Sequence, residues 1–80
     1  IKQSLHSISA LEKESVAKQA LHEARDAIDR VKAGQESVEL SPQSAYIRRL
    51  QHLAAERSQV ESRSLGREPL RRVTVFRGSR

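Results

Sequence analysis

Seven residues between Ala17 and Val31 constrain the fold of this chain more than any others. Ala17, Ala20, Leu21, Ala24, Ala27, Ile28 and Val31 recur at steps of three and four. That is the α-helical period. A stripe made mostly of alanine lets a helix approach its neighbour closely while burying little area of its own. Ser9-Ala10-Leu11-Glu12 has capping-box spacing and reads as the helix start. Lys32 falls in the last turn, and Gly34 suits the left-handed position that ends a helix. Ile1 to Ser7 has weaker periodicity and reads as a frayed end or the continuation of an upstream helix.

Shorter elements follow. Ser37-Val38-Glu39-Leu40 reads as a brief extended segment, and Ser41-Pro42 as the N-cap and first position of a second helix running to about Ser58. On that helix Tyr46, Leu50, Leu53 and Ala54 form the expected inner face, with Ile47 beside them. Val60 to Leu65 alternates as a strand does. Gly66-Arg67-Glu68-Pro69 supplies turn chemistry, and Leu70 to Phe76 alternates again, with Val73 and Val75 on one face. The expected fold is a small α+β domain: three short, mainly antiparallel strands with helices on one face, preceded by a long N-terminal helix. The expected division is residues 1–34 for that helix (linker or first helix of the domain), 35–77 for the domain and 78–80 for a tail.

Charge is divided unevenly along this frame. Residues 41–80 hold nine arginines, no lysine and three acids, a formal +6, whereas residues 1–40 come to −1 and the whole chain to +5. Charge separated in this way marks a binding face, and the arginine fork matches phosphate oxygens better than lysine does. The expected partner is a polyanion, with nucleic acid foremost.

Other classes are disfavoured. Eighty residues with one tyrosine and one phenylalanine leave little room for a deep catalytic cavity. There is no cysteine, hence no disulfide framework or thiolate chemistry, which suits a cytoplasmic location. No apolar run reaches bilayer length and no signal-peptide core is visible, so membrane insertion is not expected. His6, His22 and His52 are scattered, so neither a metal nor another cofactor is expected, and no nucleophile–base arrangement suggests an enzyme. The chain starts at Ile1 and contains no methionine, which reads as a segment of a longer protein.

Arg48 and His52 stand four residues apart on the second helix, with Arg49 adjacent. Downstream lie Ser64-Leu65-Gly66-Arg67-Glu68-Pro69 and Arg71-Arg72-Val73-Thr74-Val75. From about Leu11 onward these motifs resemble, in order and spacing, the Arg-x-x-x-His ("R-three-H") single-stranded nucleic-acid-binding domain. More narrowly, they look like the C-terminal part of the bacterial Jag (SpoIIIJ-associated) proteins. Those proteins show an alanine-rich helix, a glycine, a Val-x-Leu strand, an Arg-Arg-x-x-His helix and a Ser-x-Gly-x-x-Pro-x-Arg-Arg-Val-x-Val hairpin. This chain departs from them in having Tyr46-Ile47, where the family often has an acid, before the arginine pair, and in lacking the upstream KH domain within these residues.

The resemblance implies binding of single-stranded RNA or DNA, with RNA favoured and Arg48 and His52 contacting the backbone. Arg63, Arg67, Arg71 and Arg72 would extend a positive track, and Ser64, with Ser62 and Thr74, would add neutral hydrogen bonds. Gly66 would let the turn approach the ligand. Arg49 belongs to the same surface, and Arg77 and Arg80 add nonspecific attraction. A KH-type partner or an upstream KH domain fits the same reading.

Blander readings stand beside these. Arg48 and His52 also read as a structural pair, with Arg48 bridging Glu56 or Glu61 and His52 bonded to a carbonyl. Tyr46 reads as core before a base-stacking platform, Phe76 as closing the core edge or, if it faces out, stacking a base, and one of Arg71 and Arg72 as solvated or paired to Glu61. The rival function is a protein-interaction or dimerisation module built on the alanine stripe. An R-three-H module attached to an ATPase or helicase is a further alternative. Oligomeric state is not legible here.

Overall fold

The computed structural model describes the backbone of residues 2–78 and the side chains of residues 15–78. Helix α1 (Lys2–Lys32) leads into strand β1 (Ser37–Glu39), helix α2 (Ala45–Arg57) and the hairpin of β2 (Glu61–Leu65) and β3 (Arg72–Phe76). The sheet order is β1-β3-β2, antiparallel throughout. The α+β architecture expected from periodicity is therefore the observed one.

Both helices end in the same device. After α1, Gly34 takes φ 125° while its N–H reaches Val31 O and the Gln35 N–H reaches Arg30 O. After α2, Gln59 takes φ 63°, its N–H reaches Glu56 O and the Val60 N–H reaches Ala55 O. These paired bonds are the Schellman motif, which satisfies carbonyls that a helix end leaves open. The expected role of Gly34 holds.

Helix starts differ from the sequence reading. The backbone of α1 is helical through Ser9 instead of beginning there, and the side chains of the proposed Ser9–Glu12 cap lie outside those described. Helix α2 is capped by Ser44, whose Oγ accepts from the Ile47 N–H at 3.4 Å, and not by Ser41. Ser41 instead donates both its N–H and its hydroxyl to Glu23 Oε2, at 3.0 and 2.9 Å. Leu40 N–H bonds Val73 O and Gln43 N–H bonds Arg71 O, so this stretch runs alongside β3. A backbone held on that path cannot begin a helix until the bonds stop, and Pro42 lies within it.

The core is thin and aliphatic. Ala24, Ala27, Ile28 and Val31 of α1 pack with Leu40, Ala55, Val73 and Val75, and with the flanks of Val38, Ala54 and Val60. Alanines at the crossing let the helices approach both each other and the sheet. Strand alternation turns Val38, Ser62, Ser64, Val73 and Val75 toward the helices, and Ser37, Glu61, Arg63, Leu65, Arg72, Thr74 and Phe76 away from them. One sheet face therefore supports the helices and the other lies open.

The inner face of α2 is rotated from the expected one. Ile47, Arg48, Gln51 and Ala55 are buried, whereas Tyr46 is 67% exposed, Leu53 is exposed, and Leu50 and Ala54 are half-buried. Gln51 is drawn inward because its Nε2 donates to Ala20 O at 3.1 Å, a helix-to-helix bond that hydropathy does not reveal. Tyr46 is thereby excluded from the core.

Candidate nucleic-acid interface

Arg48 sits near the start of α2 with its stem buried and both terminal guanidinium nitrogens engaged. Nη1 donates to Gln43 O at 2.6 Å, and Nη2 lies 3.1 Å from Glu68 Oε2. The side chain of Arg48 is 9% exposed, while that of Glu68 is 62% exposed. Arg48 thus ties three segments together: the lead-in to α2, the helix and the β2–β3 turn. Neither expected partner is used, because Glu56 and Glu61 belong to the far ends of α2 and the hairpin.

One helical turn on, His52 reaches β2 instead of a carbonyl. Nδ1 is hydrogen-bonded to Ser62 Oγ at 2.6 Å and Nε2 to Ser64 Oγ at 2.8 Å. Ser62 and Ser64 are alternate residues, so both point to the helix side and grip the ring from one strand. Hydroxyls donate or accept, so the neutral ring is satisfied in either tautomer, and so is the charged ring. The ring is half-buried, and that desolvation, followed by the positive charge of Arg48, holds its pKa below the ordinary 6.5. His52 is therefore seated in a polar slot, not locked in the apolar interior.

The turn between β2 and β3 is tightly internally bonded. Arg71 Nη1 donates to Gly66 O at 2.8 Å, Leu70 N–H to Arg67 O at 2.7 Å and Arg72 Nη1 to Leu70 O at 3.3 Å. Gly66 has φ 87°, and a Cβ there would strike Arg72 Nη1 and sit 3.2 Å from Leu70 O. Its missing side chain is already required by the turn itself, so approach to a ligand is not needed to explain this glycine. Arg72 also pairs with Glu39 of β1, at 2.9 Å, and not with Glu61. Glu61 lies opposite Phe76, four residues along the strand from Arg72.

The nine residues singled out from sequence do not share one surface. Arg48, Arg49, His52 and Ser64 lie on the helix side, with Gly66, Arg67 and Arg71 around the turn, whereas Arg63 and Arg72 lie on the open sheet face. Arg49 and Arg67 are exposed, and their side chains have no hydrogen-bond or ion-pair partner among the described residues. Glu56 and Glu61 border the hollow at the opposite end of the α2–β2 cleft, with His52 and Ser62. An anion would thus be drawn to the turn end and repelled from the other. Glu68 and Ser62 complete the site although neither stood among those nine. Ser62 was expected to offer a neutral hydrogen bond and gives it to His52, whereas the only trace of Glu68 in sequence is one acid set among turn arginines.

A sequence profile described as the R-three-H domain matches residues 18–77, three quarters of the chain. The chain is also 42% identical over 59 residues to a Porphyra purpurea protein described as "Uncharacterized protein ycf45". That stretch covers 72% of this chain and 10% of the relative, so the chain spans about a tenth of the protein it matches. No helix among the described residues is long and apolar enough to cross a membrane.

Proposed function

The chain belongs to the R-three-H domain family, a family of nucleic-acid-binding modules, and from that membership we propose that it binds single-stranded RNA in preference to DNA. Binding is by phosphate contacts with little sequence selectivity, and the protein acts as a binding module, not an enzyme. The observation that carries the reading is the Arg48–Glu68 pair, a buried guanidinium closed by an exposed carboxylate. A carboxylate and a phosphate present similar oxygens to an arginine fork. Glu68 can therefore swing into water and leave Nη2 to a phosphate, while Gln43 O still positions the guanidinium through Nη1. Arg49, from the same helix, and Arg67, from the same turn, supply further cations with no competing partner among the described residues.

His52 contributes in a second way. Its neutral ring sits beside Arg48, so a bound phosphate favours the imidazolium and draws in a proton. Preference for RNA rests on the likeness to Jag-type proteins. The same likeness supports a KH domain elsewhere in the parent chain, whereas the ATPase or helicase context is the alternative architecture. Burial of Ala20, Ala24 and Ala27 within the domain favours intradomain packing of the alanine stripe over the alternative of dimerisation through it.

The test is equilibrium binding to labelled RNA and DNA single strands of roughly ten nucleotides across a salt series. With about three arginines engaged, log K should fall by about two units per decade of salt. Absence of binding to either strand at low salt would overturn the reading, and equal affinity for both would remove the RNA preference alone.

A further inference from the structure

The face of the sheet turned away from the helices carries chemistry that the phosphate site does not use. Arg63 and Leu65 of edge strand β2 lie beside Thr74 and Phe76 of β3, with Ser37 of β1 completing a shallow hollow. The Arg63 guanidinium lies over the Phe76 ring, 5.7 Å from its centroid. Phe76 therefore does not close the core edge as its sequence position suggested. It is half-buried on the open face, and no described helix or loop covers it.

We propose that this hollow is a base-stacking subsite, with Phe76 as the platform, Leu65 as its apolar margin and Arg63 as the clamp. The proposal rests on the nucleic-acid reading above and deepens it by adding contacts to bases. Arg63 is exposed and has no acidic partner among the described residues, so little holds its planar group over the ring. A base is likewise flat and prefers the same ring face. It can replace the guanidinium, which then caps the base or takes the neighbouring phosphate. Thr74 lines the hollow, and its Oγ1 is buried without a hydrogen-bond partner among the described residues.

Position favours one strand serving both faces. β2 is an edge strand, and along it Ser62 and Ser64 face His52 while Arg63 and Leu65 face the hollow. A single strand whose phosphates meet Arg67 at the turn can run along β2, past Leu65 and Arg63, before a base reaches Phe76 opposite Glu61. The splitting of the arginines between two faces then becomes a division of labour between phosphate and base.

Two strands of equal length separate the ideas: one with bases and one of abasic phosphodiester. The whole chain should bind the base-bearing strand about tenfold more tightly than the abasic one, in line with ordinary base–aromatic stacking. Phe76→Leu should shrink that ratio toward one while leaving abasic binding unchanged, and Arg63→Gln, which also removes a cation, should weaken base-bearing binding more than abasic binding. In the unaltered chain, the ring protons of its single phenylalanine should shift upfield with the base-bearing strand alone. Equal affinity for the two strands, with a static Phe76 signal, overturns the subsite and leaves the phosphate reading standing. Failure to bind either strand overturns both. A Phe76 shift produced equally by the abasic strand also counts against stacking.

Discussion

Arg48 Nη2 and Glu68 Oε2 lie 3.1 Å apart, joining a nearly buried guanidinium on α2 to an exposed carboxylate in the β2–β3 turn. The asymmetry of exposure decides how the pair behaves. Glu68 can leave for water at small cost, because an exposed carboxylate is readily rehydrated, whereas Arg48 cannot withdraw without losing its packing.

Substituting Glu68→Gln should therefore tighten binding to a short single strand by a few-fold at low salt. The competing charge disappears while the shape of the turn is kept. Fluorescence anisotropy reads the change directly, and an affinity equal to or weaker than that of the parent chain would show that the phosphate does not exchange with this carboxylate.

Arg48→Ala should lower stability by about 2 kcal/mol, because it removes the buried stem and leaves Gln43 O without its donor. Arg48→Lys should recover only part of this, since a single ammonium cannot repeat the two-sided contact with Gln43 O and Glu68. Urea midpoints of the three proteins provide the check. Loss of binding in the alanine variant is thus no clean measure of phosphate contact.

Arg49 and Arg67 are the cleaner probes. Alanine at either should leave the unfolding midpoint within about 0.5 kcal/mol of the parent, since both are exposed and unpaired among the described residues. Each change should reduce the log–log salt slope by about one or less. A slope unchanged in the double variant would move the phosphate track away from α2 and the turn.

The depressed pKa of His52 gives a signed pH dependence. Well above pH 6.5 the ring is neutral in both folded and unfolded chains and contributes no slope. As pH falls through 6.5 the unfolded chain takes up the proton first, so stability falls until the folded pKa is passed. His52→Gln should flatten that part of the denaturation profile. Binding should run the opposite way, strengthening as pH is lowered, because the phosphate favours the imidazolium. A parent and variant with superimposable pH profiles would exclude His52 from both effects.

Gln59 holds φ 63° at the end of α2, a left-handed conformation that costs an ordinary residue about 1 kcal/mol. Gln59→Gly should raise stability by about 0.5–1 kcal/mol once its own backbone entropy is counted. Thermal or urea unfolding measures this, and a destabilised variant would mean that the Gln59 side chain supplies something the helix end needs.

Much of the architecture was legible because it follows from local periodicity. The α1 stripe, the Gly34 stop and the alternation of Val73 and Val75 all survive in the fold, and each depends on neighbours within a turn or a strand. The family motif was legible as well, because the Arg48–His52 and Ser64–Val75 spacings are written in the order of the residues. The start of α2 was not. Ser41 looked like a cap, but Glu23, eighteen positions earlier, captured it. The face of α2 was misread for the same reason, since Gln51 turns inward to satisfy Ala20 O, thirty-one positions away.

By itself the sequence determined which elements form, where the positive charge accumulates and which family the motifs belong to. Tertiary structure alone decided the partners: Arg48 to Glu68, His52 to the two serines, Arg72 to Glu39, and Phe76 to the open face under Arg63. The reason is physical. Helical and strand periods are set by backbone geometry over a few residues, whereas the partner of a polar side chain depends on which distant segment the packed core brings within about 3 Å of it.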